Sequence, residues 1–251
     1  MKTKDDAFLN IQNLTFSYKG LELFKDFCFS WPKDAKRMGI LGPNGSGKST
    51  LFKIISGEIS TKVGRIYFQE ENISNLTFYE RNRKGISKTF QHPSPFESLT
   101  VFQNVLAATL EHHPKNKRED ITHTLLKFFH LQEKATHLPE SLNLLELRLL
   151  EMARAFATNP KLILLDECMV GFSNNDLTIF SNILKSIQEQ TNVKIALIEH
   201  NLHFLKEFCD YLCVLHLGKC IVQGSVDECF NNTLVQDIYF PNSRNNKGMF
   251  K

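Results

Sequence analysis

The chain has 251 residues, of which 42% are hydrophobic and 23% charged, and its formal net charge is +3. This composition is typical of an ordinary globular protein and argues against a largely disordered chain. The basic residues are scattered and no run reaches the ~18 apolar residues of a membrane span, so neither nucleic-acid binding nor a transmembrane protein is favoured.

Two segments of alternating polarity lie near the start of the chain. The first runs from Phe8 to Tyr18 and the second from Leu21 to Phe29, with a turn at Lys19-Gly20 between them. This pattern predicts an antiparallel pair of strands. Tyr18 stands at a strand end, where its ring could stack on an adenine base, but a half-buried strand tyrosine explains it nearly as well. The polar residues 1–6 do not resemble a signal peptide.

A glycine-rich segment follows the apolar run 38–41 and precedes a helical pattern that starts at Thr50. Its residues are Gly42, Pro43, Asn44, Gly45, Ser46, Gly47, Lys48 and Ser49. The order of strand, glycine-rich turn and helix is that of a phosphate-binding loop, in which backbone N–H groups converge on phosphate oxygens. Lys48 would reach the β- and γ-phosphates, and the Ser49 hydroxyl would ligate Mg²⁺. The segment therefore predicts that residues 42–50 bind a nucleoside triphosphate.

Three shorter patterns come next: a strand at 64–68, a helix at 76–83 and a strand at 85–91 that ends in Gln91. From residue 92 to residue 159 the periodicity becomes helical. This change predicts a helical subdomain inserted between two strands of the core.

A continuous apolar run at 161–165 ends in the two carboxylates Asp166 and Glu167. Such a run predicts a strand covered on both faces, as in a parallel sheet. At the tip of that strand, Asp166 can hold Mg²⁺. Glu167 is the candidate general base for the attacking water.

The last third of the chain continues the alternation of helix and strand. An amphipathic helix is predicted at 174–190, followed by a buried strand that ends in His200, a residue that can hydrogen-bond a γ-phosphate. Two further strands at 211–217 and 220–223 complete one α/β domain at 7–240. The polar residues 241–251 are predicted to form a loosely ordered tail.

The cysteines do not form a metal-binding pattern. They are Cys28, Cys168, Cys209, Cys213, Cys220 and Cys229. No two pairs have the spacing of metal ligands, so we interpret them as free thiols in a reducing compartment.

Four features occur in the order and spacing of the ATP-binding-cassette ATPases: segment 42–49, Gln91, strand 162–167 and His200. Because the base-recognition sequence Asn-Lys-x-Asp of GTPases is missing, the chain resembles this family better, and it does so over nearly its whole length. The resemblance implies a P-loop fold with a mixed sheet core, an antiparallel β subdomain and an inserted helical subdomain. It also implies a subunit whose two copies enclose two ATP molecules and drive a transporter. By resemblance, Gln91 contacts Mg²⁺ and Tyr18 stacks on adenine.

A subfamily is indicated by segments 89–92, 96–105, 214–219, 223–228 and 235–239, which resemble importers of branched-chain amino acids, urea and short amides. This resemblance implies an ATPase at the cytoplasmic face of the inner or plasma membrane, bound through transmembrane permease subunits and supplied indirectly by a solute-binding protein. Lipopolysaccharide-export ATPases are near relatives and remain an alternative. Soluble cassette proteins of translation or DNA repair are a further alternative, although they generally carry two cassettes or a long coiled-coil insertion.

The family's signature Leu-Ser-Gly-Gly-Gln is altered here to Leu142-Asn143-Leu144-Leu145-Glu146. In the family this element faces the γ-phosphate bound to the opposite subunit. We expect the leucines to hinder close approach of the backbone and Glu146 to place a negative charge near that phosphate.

Two more departures concern the same subunit contact. Cys168 stands where proline is usual, and Ser173 or Asn174 where the family has an inter-subunit aspartate. Together the departures favour an asymmetric heterodimer, in which a different ATPase subunit completes the site on this chain. A homodimer that binds ATP and hydrolyses it poorly is the alternative.

Overall fold

The computed structural model describes residues 7–18, 20–89 and 91–239, and these fall into two units. The first unit takes its residues from the ranges 1–51, 61–74 and 200–251, and the second from 52–60 and 75–199. The predicted tail at 241–251 lies outside the described residues. Within the described part, no helix has both the length and the apolar character needed to cross a bilayer.

An antiparallel sheet forms one part of the first unit. Strand β1 (Ala7–Tyr18) pairs with β2 (Leu21–Pro32) on one side and with β4 (Val63–Phe68) on the other, and β4 also pairs with the short β5 (Glu71–Asn72). The predicted antiparallel pair is thus confirmed.

Aromatic side chains pack against one another in this sheet. The ring of Phe8 meets Trp31 at 5.5 Å and Phe68 at 5.1 Å between centroids, both edge to face. The buried Trp31 indole also donates a hydrogen bond to the carbonyl of Ala35. Burying an aromatic side chain of this size stabilises the folded state by about 1.5–3 kcal/mol.

The first unit also contains a group of three strands. Strand β3 (Arg37–Leu41) runs parallel to β9 (Tyr211–His216), and β9 pairs with the antiparallel β10 (Lys219–Ser225). Strand β3 leads through the glycine-rich segment into helix α1 (Lys48–Ser56), as the sequence predicts. The remaining helices of this unit follow later in the chain: α7 (Leu202–Phe208), α8 (Val226–Asn231) and α9 (Thr233–Tyr239).

The second unit contains three parallel strands. Strand β7 (Leu162–Asp166) lies between β6 (Ile86–Lys88) and β8 (Lys194–Ile198), and every residue of β7 and β8 is buried. This confirms the prediction of a covered parallel strand. Parallel sheets require cover on both faces, and continuous apolar runs provide it.

Five α-helices lie wholly within the described residues of the second unit. They are α2 (Phe78–Arg83), α3 (Val101–Thr109), α4 (Arg118–Phe128), α5 (Leu144–Ala157) and α6 (Asn174–Gln190). Helices α3 to α5 fall within 92–159, where the sequence predicts helical structure. The boundaries of a domain at 7–240 and of an inserted subdomain at 92–159 stay predictions.

Two predicted strands end earlier in the structure than expected. Strand β6 ends at Lys88, so Gln91 does not belong to it, and the carbonyl of Gln91 accepts a hydrogen bond from Arg148 rather than from a neighbouring strand. Strand β8 ends at Ile198, so His200 lies beyond it. The chain must turn there because Asn201 caps helix α7, its side chain accepting from the N–H of Phe204.

Candidate functional site

The glycine-rich loop of the first unit adopts a backbone that other residues would strain. Gly45 and Gly47 have φ angles of +79° and +103°, in a region that L-residues with side chains seldom adopt. A Cβ atom on Gly47 would also lie 2.7 Å from the ring of Phe24, and one on Gly42 would lie 2.5 Å from the carbonyl oxygen of Leu215. The loop is therefore held close to strands β2 and β9, and glycine is required where it approaches them.

The polar groups of this loop fit an anionic ligand. The side chain of Lys48 is only 5% exposed, and its ammonium donates to the carbonyls of Gly42 at 2.7 Å and Pro43 at 3.1 Å. The Ser46 hydroxyl is buried and has no hydrogen-bond partner among the described residues. Because an unpaired buried hydroxyl is costly, such a group is expected to serve a ligand. A cation, a free hydroxyl and a helix N-terminus in one loop suit phosphate oxygens.

Ser49 and Thr50 lie in the first turn of helix α1, and both are partly exposed. The Ser49 hydroxyl is the kind of hard oxygen ligand that Mg²⁺ prefers. The position fits a metal ion bound together with phosphate oxygens, which is the prediction made for Ser49. The role of Pro43 and Asn44 as nucleotide contacts likewise stays a prediction.

Two further candidates belong to the first unit. Tyr18 is at the end of β1, is 47% exposed, and meets the edge of Phe16 with ring centroids 5.3 Å apart. His200 is exposed and lies just before the Asn201 cap of helix α7. Both side chains are accessible to a ligand. Their proposed contacts with adenine and γ-phosphate stay predictions.

The acidic pair lies in the second unit, where β7 ends. Asp166 is 3% exposed, whereas Glu167 is partly exposed and has a φ angle of +49°. The N–H of Glu167 donates to the carbonyl of Ile198 at 3.0 Å, which holds this unusual backbone in place. A non-glycine residue at positive φ costs free energy, and such strain is concentrated at functional sites.

The structure brings Gln91 to Glu167, although 76 residues separate them in the sequence. The amide Nε2 of Gln91 donates to Oε2 of Glu167 at 3.2 Å. The proposed metal-contacting glutamine and the proposed base therefore share a hydrogen bond. This hydrogen bond orients the carboxylate of Glu167.

Helix α5 holds the segment around Gln91. Arg148, which is buried, donates to the carbonyl of Gln91 at 2.6 Å and forms a salt bridge of 3.1 Å with Glu151. One helical turn later, Arg154 donates to the carbonyl of Ser94 at 2.7 Å. The sequence analysis did not predict this role of Arg148 and Glu151. A buried Arg–Glu pair at i, i+3 on an otherwise apolar helix face is the signal that could have revealed it.

A second buried acid was also missed. Oε1 of Glu199 accepts from the N–H of Met169 at 3.2 Å, and both residues are buried. Next to it, burial and the negative charge of Glu199 raise the pKa of Cys168 well above its ordinary value. Cys168 is therefore a neutral thiol, and Glu199 fixes the turn that follows Asp166 and Glu167.

The altered signature forms the start of helix α5. Oδ1 of Asn143 accepts from the N–H of Glu146 at 2.9 Å, and Oε2 of Glu146 accepts from the N–H of Asn143 at 2.9 Å. Lys134 lies 3.7 Å from the other oxygen of Glu146. The carboxylate of Glu146 thus binds its own helix end and Lys134, and its expected effect on a phosphate of the opposite subunit stays a prediction. Such a reciprocal capping box satisfies two of the N–H groups that a helix start leaves open.

Leu144 is 39% exposed, and its Cδ2 atom lies 3.0 Å from the place where a Cβ on Gly171 would stand. The leucine thus covers the turn between β7 and helix α6. A glycine at position 144 would leave this surface open.

Comparisons with known proteins identify a matching family and individual relatives. Residues 27–170 match the family model described as "ABC transporter". The lipopolysaccharide export system ATP-binding protein LptB of Escherichia coli is 29% identical over 235 residues, covering 93% of this chain and 97% of the relative. The methionine import ATP-binding protein MetN 2 of Bacillus cereus is 33% identical over 195 residues, covering 76% of this chain and 58% of the relative.

Solved structures agree with the sequence relatives. An ATP-binding cassette of an ABC transporter, MJ1267, has a TM-score of 0.82 and 27% identity, covering 93% of this chain and 98% of that one. The same cassette in its ADP conformation has a TM-score of 0.81 and 26% identity. The two named sequence relatives are both ATP-binding proteins of transport systems, but they serve different solutes and opposite directions of transport.

Proposed function

The chain belongs to the ABC transporter family, and from this premise we propose that it is the ATP-hydrolysing subunit of a membrane transporter and pairs with a second, different ATPase subunit. The proposal rests on a contrast within the chain. The residues expected to bind and hydrolyse ATP are all present, whereas the helix start expected to serve the partner's ATP is altered and capped by its own side chains.

For the ATP molecule bound to this chain, the phosphate loop supplies the binding groups. Lys48 exchanges its two carbonyl contacts for phosphate oxygens, and the backbone N–H groups of the loop hold the rest of the charge. Mg²⁺, when bound, neutralises phosphate charge, and Ser49, Asp166 and Gln91 are the residues that would hold it. Tyr18 stacks on the adenine ring.

Glu167 and His200 carry the chemical step in this proposal. The carboxylate of Glu167, oriented by the amide of Gln91, accepts a proton from the attacking water. The water oxygen then forms a bond to the γ-phosphorus as the bond to the ADP oxygen breaks. His200 donates a hydrogen bond to the γ-phosphate and stabilises its charge.

The altered signature at the start of helix α5 explains why a different partner subunit is needed. In the ABC family the signature helix start faces the nucleotide of the opposite subunit, where N–H groups and the helix dipole stabilise phosphate. Here the N–H groups of Asn143 and Glu146 already have acceptors, and the exposed Leu144 occupies the approach. Loss of such donors costs about 2–4 kcal/mol of transition-state stabilisation. The partner's site is therefore the slow one, and the site on this chain is completed by an unaltered signature from the partner.

The solution mass of the Glu167→Gln variant with MgATP tests this pairing. Removing the base traps the closed ATP-bound dimer, so the variant should remain monomeric alone and form a dimer when mixed with a cassette subunit that has an unaltered signature. The matched control adds Lys48→Ala, which weakens ATP binding, so both samples should remain monomeric at an ATP concentration below the raised Kd. A stable homodimer of Glu167→Gln alone would contradict the asymmetric pairing.

We propose import of branched-chain amino acids or a related small polar solute, with the subunit held at the cytoplasmic face through permease subunits. The resemblance of segments 89–92, 96–105, 214–219, 223–228 and 235–239 to such importers supports this choice. A lipopolysaccharide-export type of transporter is the second candidate, which the alignment to LptB over 93% of the chain favours. Copurification with the permease and transport in proteoliposomes separates them: uptake of labelled leucine or urea supports import, and release of lipopolysaccharide from the bilayer supports export.

A further inference from the structure

Two thiols lie close together in the hairpin of β9 and β10. Sγ of Cys213 is 3.4 Å from Sγ of Cys220, within hydrogen-bond contact of two thiols. Cys213 is fully buried, whereas Cys220 is partly exposed. We propose that this pair is a modification site, a dithiol that hydrogen peroxide oxidises reversibly to an intrachain disulfide.

The register of the hairpin explains how the two side chains meet. Cys213 lies opposite Gln223 and Leu215 lies opposite Cys220, with an irregularity between Cys220 and Val222. Side chains alternate between faces along a strand, so residues 220 and 223 would point to opposite faces of a regular strand. The extra residue of a bulge shifts this alternation by one and brings Cys220 to the face of Cys213.

The sulfur atoms, 3.4 Å apart, lie close to bonding distance. A disulfide bond is about 2.05 Å long, so the sulfur atoms need to approach by about 1.4 Å. Rotation of the two side chains provides movements of this size, and the partly exposed Cys220 can turn most easily.

The surroundings assign different roles to the two sulfurs. The hydrogen bond from Cys213 lowers the pKa of Cys220, and this favours the thiolate that reacts with peroxide. The same contact and burial raise the pKa of Cys213, which stays a thiol. The neighbouring Cys229 is less suited to react, because burial raises its pKa to about 12 and its Sγ lies against the carbonyl of Leu212.

The reaction balances in two steps. The Cys220 thiolate attacks one peroxide oxygen, the O–O bond breaks, and Cys220 sulfenic acid and hydroxide form. The hydroxide takes up the proton that Cys220 had released and becomes water. The Cys213 thiol then attacks the sulfenic sulfur, forming the S–S bond and releasing a second water. Two thiols are oxidised and one peroxide is reduced.

The site is next to the phosphate loop within the first unit. Cys213 pairs with Ile40 of β3, two residues before Gly42, and the carbonyl of Leu215 contacts the position of Gly42. A disulfide bond between Cys213 and Cys220 would therefore tie down β9, the strand that pairs with β3 and contacts the phosphate loop. In a reducing compartment such a bond is transient and indicates a peroxide signal.

Mass spectrometry of the full chain tests the proposal. Reduced protein is treated with hydrogen peroxide, blocked with N-ethylmaleimide and digested with trypsin, which cleaves after Lys219 and separates the two cysteines. We expect a loss of 2 Da and a cross-linked pair of the peptides 207–219 and 220–244 that dithiothreitol resolves. Sulfinic acid on Cys220 without a cross-link, or six blocked thiols, would overturn the proposal.

Cysteine variants identify the bonded pair, since each of these peptides holds two cysteines. The cross-link should persist in Cys209→Ser and Cys229→Ser and disappear in Cys220→Ser. Because Cys213 is fully buried, Cys213→Ala is used with Cys213→Ser, and a thermal melt identifies a folded variant. A cross-link that survives in the folded Cys213 variant, or in Cys220→Ser, would contradict the assignment.

Discussion

The guanidinium of Arg148 donates to the main-chain carbonyl of Gln91 over 2.6 Å, across 57 residues of sequence. The side chain of Gln91 in turn donates to Glu167. Helix α5 therefore sets the position of Gln91, and Gln91 orients the carboxylate that we propose as the base. Arg148 is therefore a positioning residue that acts through Gln91. The salt bridge to Glu151 fixes the guanidinium of Arg148.

Replacing Arg148 with lysine should lower kcat more than it changes KM for ATP. Lysine keeps the charge but loses the planar, forked donor geometry that serves Gln91 and Glu151 together. A displacement of catalytic groups by about 1 Å can cost about a hundredfold in rate, so we expect kcat to fall ten- to a hundredfold. Steady-state ATPase assays of the assembled transporter check this. An unchanged kcat would show that Arg148 has only a structural role.

The contribution of the Arg148–Glu151 salt bridge to the free energy of unfolding can be measured separately. Arg148→Met removes the salt bridge of the buried Glu151 to Arg148 and should destabilise the fold by about 3–5 kcal/mol. Arg148→Met combined with Glu151→Leu removes both charges and should recover most of that loss. Urea unfolding of the three proteins measures the difference. Equal stability of the single and double variants would mean that the salt bridge is not what the single variant breaks.

Replacing Lys48 with alanine should abolish tight ATP binding while the fold persists. Hydrogen bonds to charged groups contribute about 1.5–3 kcal/mol each, so we expect the Kd for ATP to rise ten- to a hundredfold. Lys53→Ala is a suitable control, because this lysine is in the same helix and partly exposed. Titration calorimetry with MgATP measures both variants. A similar loss in Lys53→Ala would point to a general effect of charge rather than to contact with the phosphates.

Replacing Arg81 with methionine should destabilise the second unit. Its buried guanidinium donates to the carbonyls of Ile54, Ile55 and Leu76, and so caps the end of helix α1. Burial lowers the pKa of Arg81 to about 10, but the group remains charged at neutral pH. Loss of these charged hydrogen bonds should reduce the free energy of unfolding by about 3 kcal/mol. Arg83→Met is the control, because Arg83 is exposed and lies in helix α2 together with Arg81. This variant should change the free energy of unfolding, measured by urea titration, by less than about 0.5 kcal/mol.

Local patterns were sufficient to predict the strands and helices around the nucleotide loop. The loop itself is encoded in consecutive residues, and the apolar run before Asp166 could only be a covered strand. The contact of Gln91 with Glu167, and that of Arg148 with the Gln91 carbonyl, could not be predicted in this way. They join residues 76 and 57 positions apart and depend on how the segment after β6 folds back onto helix α5.

The role of Glu146 shows a similar limit. Its charge and position predicted a negative charge near a phosphate, whereas its contact with its own helix start was missed, although the residue stands three positions after Asn143. That spacing forms a capping box, which turns the carboxylate toward its own helix. The ends of β6 and β8 were also predicted too far along the chain: after β6 the carbonyl of Gln91 accepts from Arg148, and after β8 the chain enters helix α7 with Asn201 as its cap.

Restoring glycine at Leu144 and Leu145 should raise ATP hydrolysis by the assembled heterodimer. The double change removes the exposed side chain over Gly171 and lets a phosphate approach the start of helix α5. Adding Glu146→Gln removes the remaining negative charge and should raise the rate further. If the partner's site recovers the 2–4 kcal/mol expected of such donors, its rate increases by thirty- to about a thousandfold. Single-turnover assays in which this chain carries Glu167→Gln and the partner subunit keeps its own catalytic base isolate that site.

Leu138→Gly is the matched control for this prediction, because Leu138 is 40% exposed and Leu144 is 39% exposed. Each glycine placed in a helix costs about 1 kcal/mol of stability, so thermal melts must accompany the rates. A folded Leu144→Gly, Leu145→Gly variant with an unchanged single-turnover rate would show that the leucines do not limit the partner's site. The capping box of Asn143 and Glu146 would then be the feature that limits it, since it keeps the N–H groups of the helix start occupied whichever residues stand between them.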